Sequence, residues 1–164
     1  MNTITKIKDV LEIVDKASPS GLAIAFHIRL TSPDFLLQTY PKAWTDIYSE
    51  KGYVMVDPTV RWGFTEVGTI RWSDLKHLDD ESILEQSLAY GMVFGVTIAT
   101  DTGGSRSLAS FSRADREYSD SEIAELQEHV QTLHDLTASP TGMDKNVRDE
   151  LHKLSVEMTH PKTT

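Results

Sequence analysis

The sequence predicts an α/β fold, an α–β–α sandwich around a roughly five-stranded antiparallel sheet. Segments with helical and with strand-like periodicity alternate along the 164 residues, and short turn-forming connections join several of the strand segments. Helical segments also precede and follow the strands, so they can cover both faces of a single sheet.

The first half of the chain opens with a helix that we expect to end at the Ser18-Pro19-Ser20-Gly21 stretch, since proline and glycine interrupt its apolar repeat. Strands over 22–29 and 35–39 follow, separated by a turn at 31–34. The next predicted elements are a helix over 41–52, a short helix or turn opened by Asp57-Pro58, and a third strand over 69–72.

The second half predicts a helix over 79–91 and then a hairpin of 93–100 with 107–112. Ser119 and Glu122 form a capping-box pattern ahead of a long helix. The apolar stripe of that helix comprises Ile123, Leu126, Val130 and Leu133. The apolar pattern fades after Leu136, so we expect one domain over 1–138. Residues 139–164 then form a C-terminal tail or the start of a linker, too short for a complete helix-turn-helix domain.

Composition excludes several classes of function. The formal net charge is −9 without any cluster of Lys or Arg, whereas binding to a nucleic acid duplex requires a basic face. We therefore expect no nucleic acid binding by this domain alone. The absence of a long apolar run argues against membrane insertion, and neither a secretory signal nor a cysteine is present. A cytoplasmic location is the default expectation.

Catalytic and cofactor motifs are equally absent from the sequence. Gly103-Gly104 is isolated and falls where a hairpin turn is needed, so no phosphate-binding loop is predicted. The six histidines form no metal-ligand pattern, because His129 and His134 are five residues apart and fall on different sides of a helix. Ser110 lies outside any GxSxG motif. We expect no enzymatic activity, no metal and no cofactor.

The most informative stretch is rich in aromatic residues. Tyr40, Trp44 and Tyr48 are spaced four residues apart and fall on nearly one face of the predicted helix. An aromatic core stripe is the simpler interpretation. However, each of these side chains has a polar group that needs a partner when buried, and Asp57 follows in an apolar setting. Several donors and one acceptor suit a small ligand with an amide and carbonyls.

These residues belong to a longer pattern that resembles LuxR-type autoinducer-binding domains. The matching positions are Tyr40-Pro41, Trp44, Tyr48, Gly52-Tyr53, Asp57-Pro58-Thr59-Val60, Trp72, the glycine-bracketed strand 91–97 and the strand 108–112. The resemblance implies that a ligand, an N-acyl-homoserine lactone, lies between the sheet and one helical layer.

The resemblance also implies a role for each matching residue. Trp44 would donate to the lactone carbonyl, and Asp57 would accept from the amide N–H. Tyr40 and Ser110 would donate to the amide carbonyl, and Trp72 would pack against the lactone ring.

Further residues are expected around the acyl chain. Tyr48 would line the acyl tunnel. Thr59 would steady Asp57 or touch a 3-substituent, although it could equally be a helix N-terminal cap. The other candidates for acyl contacts, each also suited to an ordinary core position, are Ile24, Phe26, Val60, Ile83, Leu84, Met92 and Ile98.

Departures from the family pattern leave alternatives open. The helix-turn-helix domain is absent from these residues, the loop between the first two strands is short, and Arg61 and Trp62 are not typical of the family. The sequence is therefore compatible with the sensor domain of a regulator. It is also compatible with a headless homologue that forms a heterodimer with a full-length regulator and inhibits it. A lactonase would need a metal cluster or a nucleophile–base pair, and the sequence shows neither. A homodimer or a heterodimer with a related regulator is the expected assembly.

Overall fold

A computed structural model describes residues 2–30, 32–139 and 142–159 and confirms the predicted sandwich. The strands are β1 (Gly21–Arg29), β2 (Ser32–Gln38), β3 (Gly68–Arg71), β4 (Phe94–Thr102) and β5 (Ser105–Arg113). They form one antiparallel sheet in the order β2-β1-β5-β4-β3. The helices are α1 (Thr3–Lys16), α2 (Lys42–Glu50), α3 (Pro58–Thr65), α4 (Ile83–Ser87), α5 (Asp120–Leu136) and α6 (Lys145–Thr159).

Strand alternation divides the interior into two parts. Leu22, Ile24 and Phe26 of β1 point to one face of the sheet and join the main core with side chains of α1, α5 and α6. The other face carries α2, α3 and α4. A smaller cluster on that side contains Trp44, Trp72, Leu75, Ile83 and Met92. The sheet therefore has a densely packed face and a second, largely aromatic one.

The predicted hairpin is present and is longer than expected. Gly103 and Gly104, with φ of 65° and 82°, form the two-residue connection between β4 and β5. Positive φ at both central residues is the geometry of a type I′ turn, which suits the twist of antiparallel strands. The ladder consequently continues up to the pair Thr102 and Ser105.

Helix α5 begins as predicted. The Ser119 side chain accepts from the backbone N–H of Glu122, and the Glu122 side chain accepts from the backbone N–H of Ser119. The stripe of Ile123, Leu126, Val130 and Leu133 is buried in the main core. Because this stripe covers the sheet, it does not form an exposed surface for pairing with a regulator.

The helix predicted over 79–91 is wrong in length. Only α4 and a 3-10 turn over Leu88–Tyr90 form there. Ser82 adopts a left-handed conformation with a φ of 55°, so the helix cannot begin at residue 79 and starts only at α4. The Asp79 carboxylate instead accepts from the first amides of α4, those of Ile83 and Leu84, at 2.8 and 3.0 Å.

The segment expected to be a tail or linker contains α6. Val147, Leu151 and Leu154 are spaced four and three residues apart, and all three are buried against the main core. The boundary at residue 138 stays a prediction. Of the residues expected to form the tail, 140, 141 and 160–164 lie outside the described residues. In the part of the chain that the structure describes, no helix is long and apolar enough to cross a membrane.

Candidate functional site

The second face of the sheet carries two cross-strand rows of side chains that differ in polarity. Ala23 pairs with both Gln38 and Ser110, and Ser110 pairs with Thr97. We call Gln38, Ala23, Ser110 and Thr97 the Ser110 row. The neighbouring row, called the Leu108 row, consists of Leu36, Ala25, Leu108 and Ala99. The first row offers hydrogen-bonding groups and the second is apolar.

A cavity of about 190 Å³ separates these rows from α2, α3 and α4. All of the residues predicted for the site line it: Tyr40, Trp44, Tyr48, Asp57, Thr59, Trp72 and Ser110. The structure therefore brings together, in one enclosed space, side chains that are up to 70 positions apart in sequence.

The predicted acyl contacts are only partly correct. Val60, Ile83, Leu84 and Met92 line the cavity. Ile24, Phe26 and Ile98 do not, because they belong to the main core on the opposite face.

The residues of β1 that reach the cavity are instead the small ones, Ala23 and Ala25. Large side chains fill the face that must be densely packed, and small side chains leave room on the face that encloses a void. Alternation alone identifies two faces, and residue size distinguishes the one with the cavity.

Asp57 is the polar centre of the cavity. It caps the N-terminus of α3, and its Oδ1 accepts from the backbone N–H and the hydroxyl of Thr59, both at 2.8 Å. Its Oδ2 accepts from the hydroxyl of Tyr48 at 2.6 Å. Burial raises the pKa of Asp57, and these donors act in the opposite direction by stabilising the carboxylate. Each carboxylate oxygen offers about two acceptor sites, and Oδ2 accepts from the Tyr48 hydroxyl, so Oδ2 retains capacity for a donor from a ligand.

Tyr48 and Thr59 both support Asp57. For Thr59 this was one of the alternatives that the sequence left open, whereas Tyr48 was expected only to line the acyl tunnel. The hydroxyls of both donate to Asp57, so their protons are committed within the protein. Asp57, and not Thr59, is the N-terminal cap of α3. Burial and the charge of Asp57 raise the pKa of the Tyr48 phenol, which keeps it a hydrogen-bond donor.

Tyr40 and Ser110 lie at one end of a chain of hydroxyls. The Trp72 indole N–H donates to Thr97 Oγ1 at 3.0 Å, and Thr97 Oγ1 lies 2.7 Å from Ser110 Oγ. The Ser110 hydroxyl interacts in turn with the Tyr40 phenol, whose pKa burial raises. Sequence reasoning missed Thr97, although it follows Gly95 by two residues and therefore shares a face of β4 with it.

Gly95 explains the position of Trp72. A Cβ atom at residue 95 would overlap the indole ring of Trp72, which lies directly over the strand. Gly63 of α3 is under a similar constraint, because a Cβ there would overlap Leu108. The absence of side chains at these two positions allows an aromatic ring and a helix to approach the sheet closely.

Trp44 has an unpartnered donor. Its side chain is 3 % exposed and packs against Tyr48, Tyr53 and Tyr90, with ring centroids 6.1, 6.1 and 5.4 Å away. No acceptor among residues 2–30, 32–139 and 142–159 pairs with its indole N–H. Within the same residues, no fully enclosed side-chain polar atom lacks a partner. The N–H therefore faces accessible space, and Trp44 lines the cavity.

The two atypical residues lie away from the lining. Arg61 is exposed and forms an ion pair of 3.8 Å with Asp80, and Trp62 packs against the aromatic cluster. Side chains that do line the cavity, and that the sequence did not single out, are Ala23, Ala25, Ile28, Pro33, Leu36, Gln38, Thr45, Val54, Phe64, Ser87 and Leu108. The described residues contain no group of three or more His, Asp or Glu side chains placed to hold a metal ion.

Sequence comparisons identify relatives over most of this chain. Residues 21–138 match the family model described as the autoinducer binding domain. The transcriptional activator protein AnoR of Acinetobacter nosocomialis is 30 % identical over 130 residues, which make up 73 % of this chain and 55 % of AnoR. The chain thus spans about half the length of this relative.

Solved structures share the fold at lower identity. The LuxR family transcription factor CepR2 of Burkholderia cenocepacia, described as N-acylhomoserine lactone dependent, is 16 % identical with a TM-score of 0.55, over 83 % of this chain and 94 % of that chain. SdiA of Escherichia coli is 20 % identical with a TM-score of 0.58, over 99 % of this chain and 64 % of that chain. SdiA in complex with octanoyl-rac-glycerol is 22 % identical with a TM-score of 0.58, over 100 % and 66 %.

Proposed function

This chain belongs to the autoinducer-binding domain family of LuxR-type transcriptional activators, and we propose that it binds an N-acyl-homoserine lactone as the sensor domain of such a regulator. The family consists of regulators and signal sensors, not of enzymes. The observation that carries the proposal is that two groups lie in one apolar cavity: the indole N–H of Trp44, which no described residue accepts, and the carboxylate of Asp57, which Tyr48 and Thr59 hold in place.

A neutral acyl amide complements these groups. The Trp44 N–H would donate to the lactone carbonyl, and Asp57 would accept from the amide N–H. The Tyr40 and Ser110 hydroxyls would donate to the amide carbonyl. Trp72 would contribute the face of its ring to the lactone, since its own N–H is occupied by Thr97.

Typical interaction energies indicate how the headgroup and the acyl chain would each contribute to binding. A hydrogen bond contributes about 1 kcal/mol net, and about 1.5–3 kcal/mol when one partner is charged. Each buried methylene contributes about 0.8 kcal/mol. The headgroup contacts would therefore set orientation, while the chain, packed on the Leu108 row, would supply most of the affinity.

The SdiA complex suggests a useful competing ligand. Octanoyl-rac-glycerol is an acyl ester without an amide N–H, but its two free hydroxyls can donate to an acceptor such as Asp57. The cleaner comparison is therefore an analogue of octanoyl-homoserine lactone in which an ester oxygen replaces the amide N–H. If Asp57 accepts from the amide, the homoserine lactone should bind more tightly than this ester analogue. Equal affinity would remove the proposed role of Asp57 while leaving an acyl-binding cavity.

The central experiment is a ligand capture. The chain is produced in cells that receive a mixture of acyl-homoserine lactones, and the purified protein is studied by native mass spectrometry and thermal melting. We expect a retained lactone mass and a raised melting temperature on adding that lactone. Absence of both would overturn the proposal, and a ring-opened acyl-homoserine product would indicate a lactonase instead. Pairing with itself or with a related regulator, and a cytoplasmic location, stay predictions from the family resemblance.

A further inference from the structure

The polar side chains that line the cavity differ in whether the protein already satisfies them. Thr45 and Ser87 donate to backbone carbonyls of their own segments, at 3.1 and 2.8 Å. Thr59 and Tyr48 donate to Asp57, and Ser110 pairs with Thr97. Among the described residues, the side-chain groups of the lining that no protein atom pairs with are the indole N–H of Trp44 and the amide of Gln38.

Gln38 lies beside the site proposed for the ligand amide. It is in the same cross-strand row as Ser110, with only Ala23 between them. Adjacent strands are about 4.8 Å apart, so the two Cα atoms are about 10 Å apart, and a glutamine side chain spans about half of that distance. Because the methyl group of Ala23 fills little space, the Gln38 amide can reach over it towards the ligand.

The cavity continues past Gln38 along β1 and β2. Beyond Gln38 it is lined by Ile28, Pro33 and Leu36 at the β1–β2 edge of the sheet. An acyl chain that starts at Ser110 and Tyr40 and runs to this edge passes the Gln38 amide within its first few carbons. The alternative donor for an oxygen there, Thr59, has both its N–H and its hydroxyl committed to Asp57.

We propose that Gln38 hydrogen-bonds an oxygen carried on the acyl chain close to the amide, so that the site prefers 3-oxo- or 3-hydroxyacyl chains over unsubstituted ones. This inference rests on the proposed function. A carboxamide both donates and accepts, so it serves a ketone and a hydroxyl. Without such an oxygen, the amide gains no ligand partner when the chain covers it.

The test compares octanoyl-, 3-oxo-octanoyl- and 3-hydroxyoctanoyl-homoserine lactone by titration calorimetry on the full chain. We expect the wild type to bind the two oxygenated ligands about fivefold more tightly than the unsubstituted one, which corresponds to one net hydrogen bond. Gln38→Leu should abolish this preference and leave the unsubstituted ligand bound at least as well. Gln38→Glu, which accepts but cannot donate, should reject the 3-oxo ligand more than the 3-hydroxy ligand.

Gln127→Leu is the matched control, since Gln127 is exposed on α5 on the opposite side of the sheet. It should retain the wild-type preference. Equal affinities in the wild type, or a preference that persists in Gln38→Leu, would overturn the role of Gln38 while the binding of lactones stands. If no lactone of any kind binds the wild type, the proposed function fails and this inference fails with it.

Discussion

Replacing Asp57 with asparagine removes a charge from the cavity and keeps the size of the side chain. The remaining oxygen can still accept from Thr59 at the start of α3, and asparagine caps helices about as well as aspartate. In the wild type the Tyr48 hydroxyl donates to Oδ2. In the variant the new amide can donate to the oxygen of that hydroxyl. We therefore expect the free energy of unfolding of the ligand-free protein to change by less than about 1 kcal/mol.

Ligand binding should respond much more strongly. The amide N–H of a bound lactone would lose a charged acceptor, which is worth about 1.5–3 kcal/mol. A loss of about 2 kcal/mol weakens binding about 30-fold. Ligand at 100 times the wild-type Kd stabilises the wild type by about 2.7 kcal/mol, and the same concentration would stabilise the variant by about 0.9 kcal/mol. For a domain of this size the shift in Tm falls from about 5–11 °C to about 2–4 °C.

Thermal melting with and without the lactone identified by mass spectrometry measures both effects. Asp46→Asn is the matched control, because Asp46 is exposed on α2 and pairs with Lys42 at the surface. It should keep the full ligand-induced shift. A shift in the Asp57 variant as large as in the wild type would refute the hydrogen bond between Asp57 and the ligand. A loss of folding without ligand would refute the reasoning about the cap.

Three further changes test other parts of the structure. Gly95→Ala places a methyl group inside the indole ring that lies over the strand, so we expect about 1–3 kcal/mol of destabilisation in urea unfolding. Burial, and then the neighbouring histidine, lower the pKa of His27 below its ordinary value of 6.5. As the pH falls below 6.5, the unfolded chain therefore binds a proton at this histidine before the folded chain does, and the free energy of unfolding should decrease. His27→Asn should flatten this pH dependence. Asparagine suits the position because it tolerates the local φ of 51°. Leu36→Lys places a charge at the half-exposed rim of the cavity and should weaken long-chain lactones while sparing butanoyl, as measured by calorimetry.

Control substitutions of the same type at exposed positions test whether each effect depends on the residue named. His152→Asn, at an exposed position of α6, should leave the pH dependence of unfolding unchanged. Leu30→Lys, at a fully exposed residue between β1 and β2, should leave chain-length selectivity unchanged. Gly95→Ala is judged against the wild type alone, and equal unfolding midpoints would contradict the close packing at that strand.

Local signals account for what the sequence predicted correctly. The capping box at Ser119 and the glycine pair at 103–104 specify an element within a few residues, and both elements form as expected. Ser82 shows the opposite case, because nothing in its neighbours indicates the left-handed conformation that shortens the helix after it. Helix α6 was missed because its three buried residues are separated by a highly polar sequence, and its packing against the main core is not visible in that sequence.

The candidate site likewise contains residues that the sequence identified and residues that it missed. The aromatic residues and Asp57 were found because their types and spacing are unusual, whereas Ala23 and Ala25 were missed because small apolar residues attract no notice. Their importance lies in the volume they leave empty. That volume depends on which face of the sheet the helices α2 and α3 cover, and alternation in one strand does not contain this information.

A list of polar residues also does not reveal which of their protons are free. Tyr48 and Trp44 lie one helical turn apart and both line the cavity. The Tyr48 hydroxyl donates to Asp57, whereas the Trp44 N–H has no acceptor in the part of the chain that the structure describes. The donors from Tyr48 and Thr59 fix the carboxylate before any ligand arrives, so a ligand amide meets an acceptor that needs no rearrangement. Selectivity between ligands then depends on the hydrogen-bonding groups of the lining that have no partner among the described residues. Under the proposed function, a ligand would supply a carbonyl at Trp44 and an N–H at Asp57, and an oxygen near Gln38 would add to both.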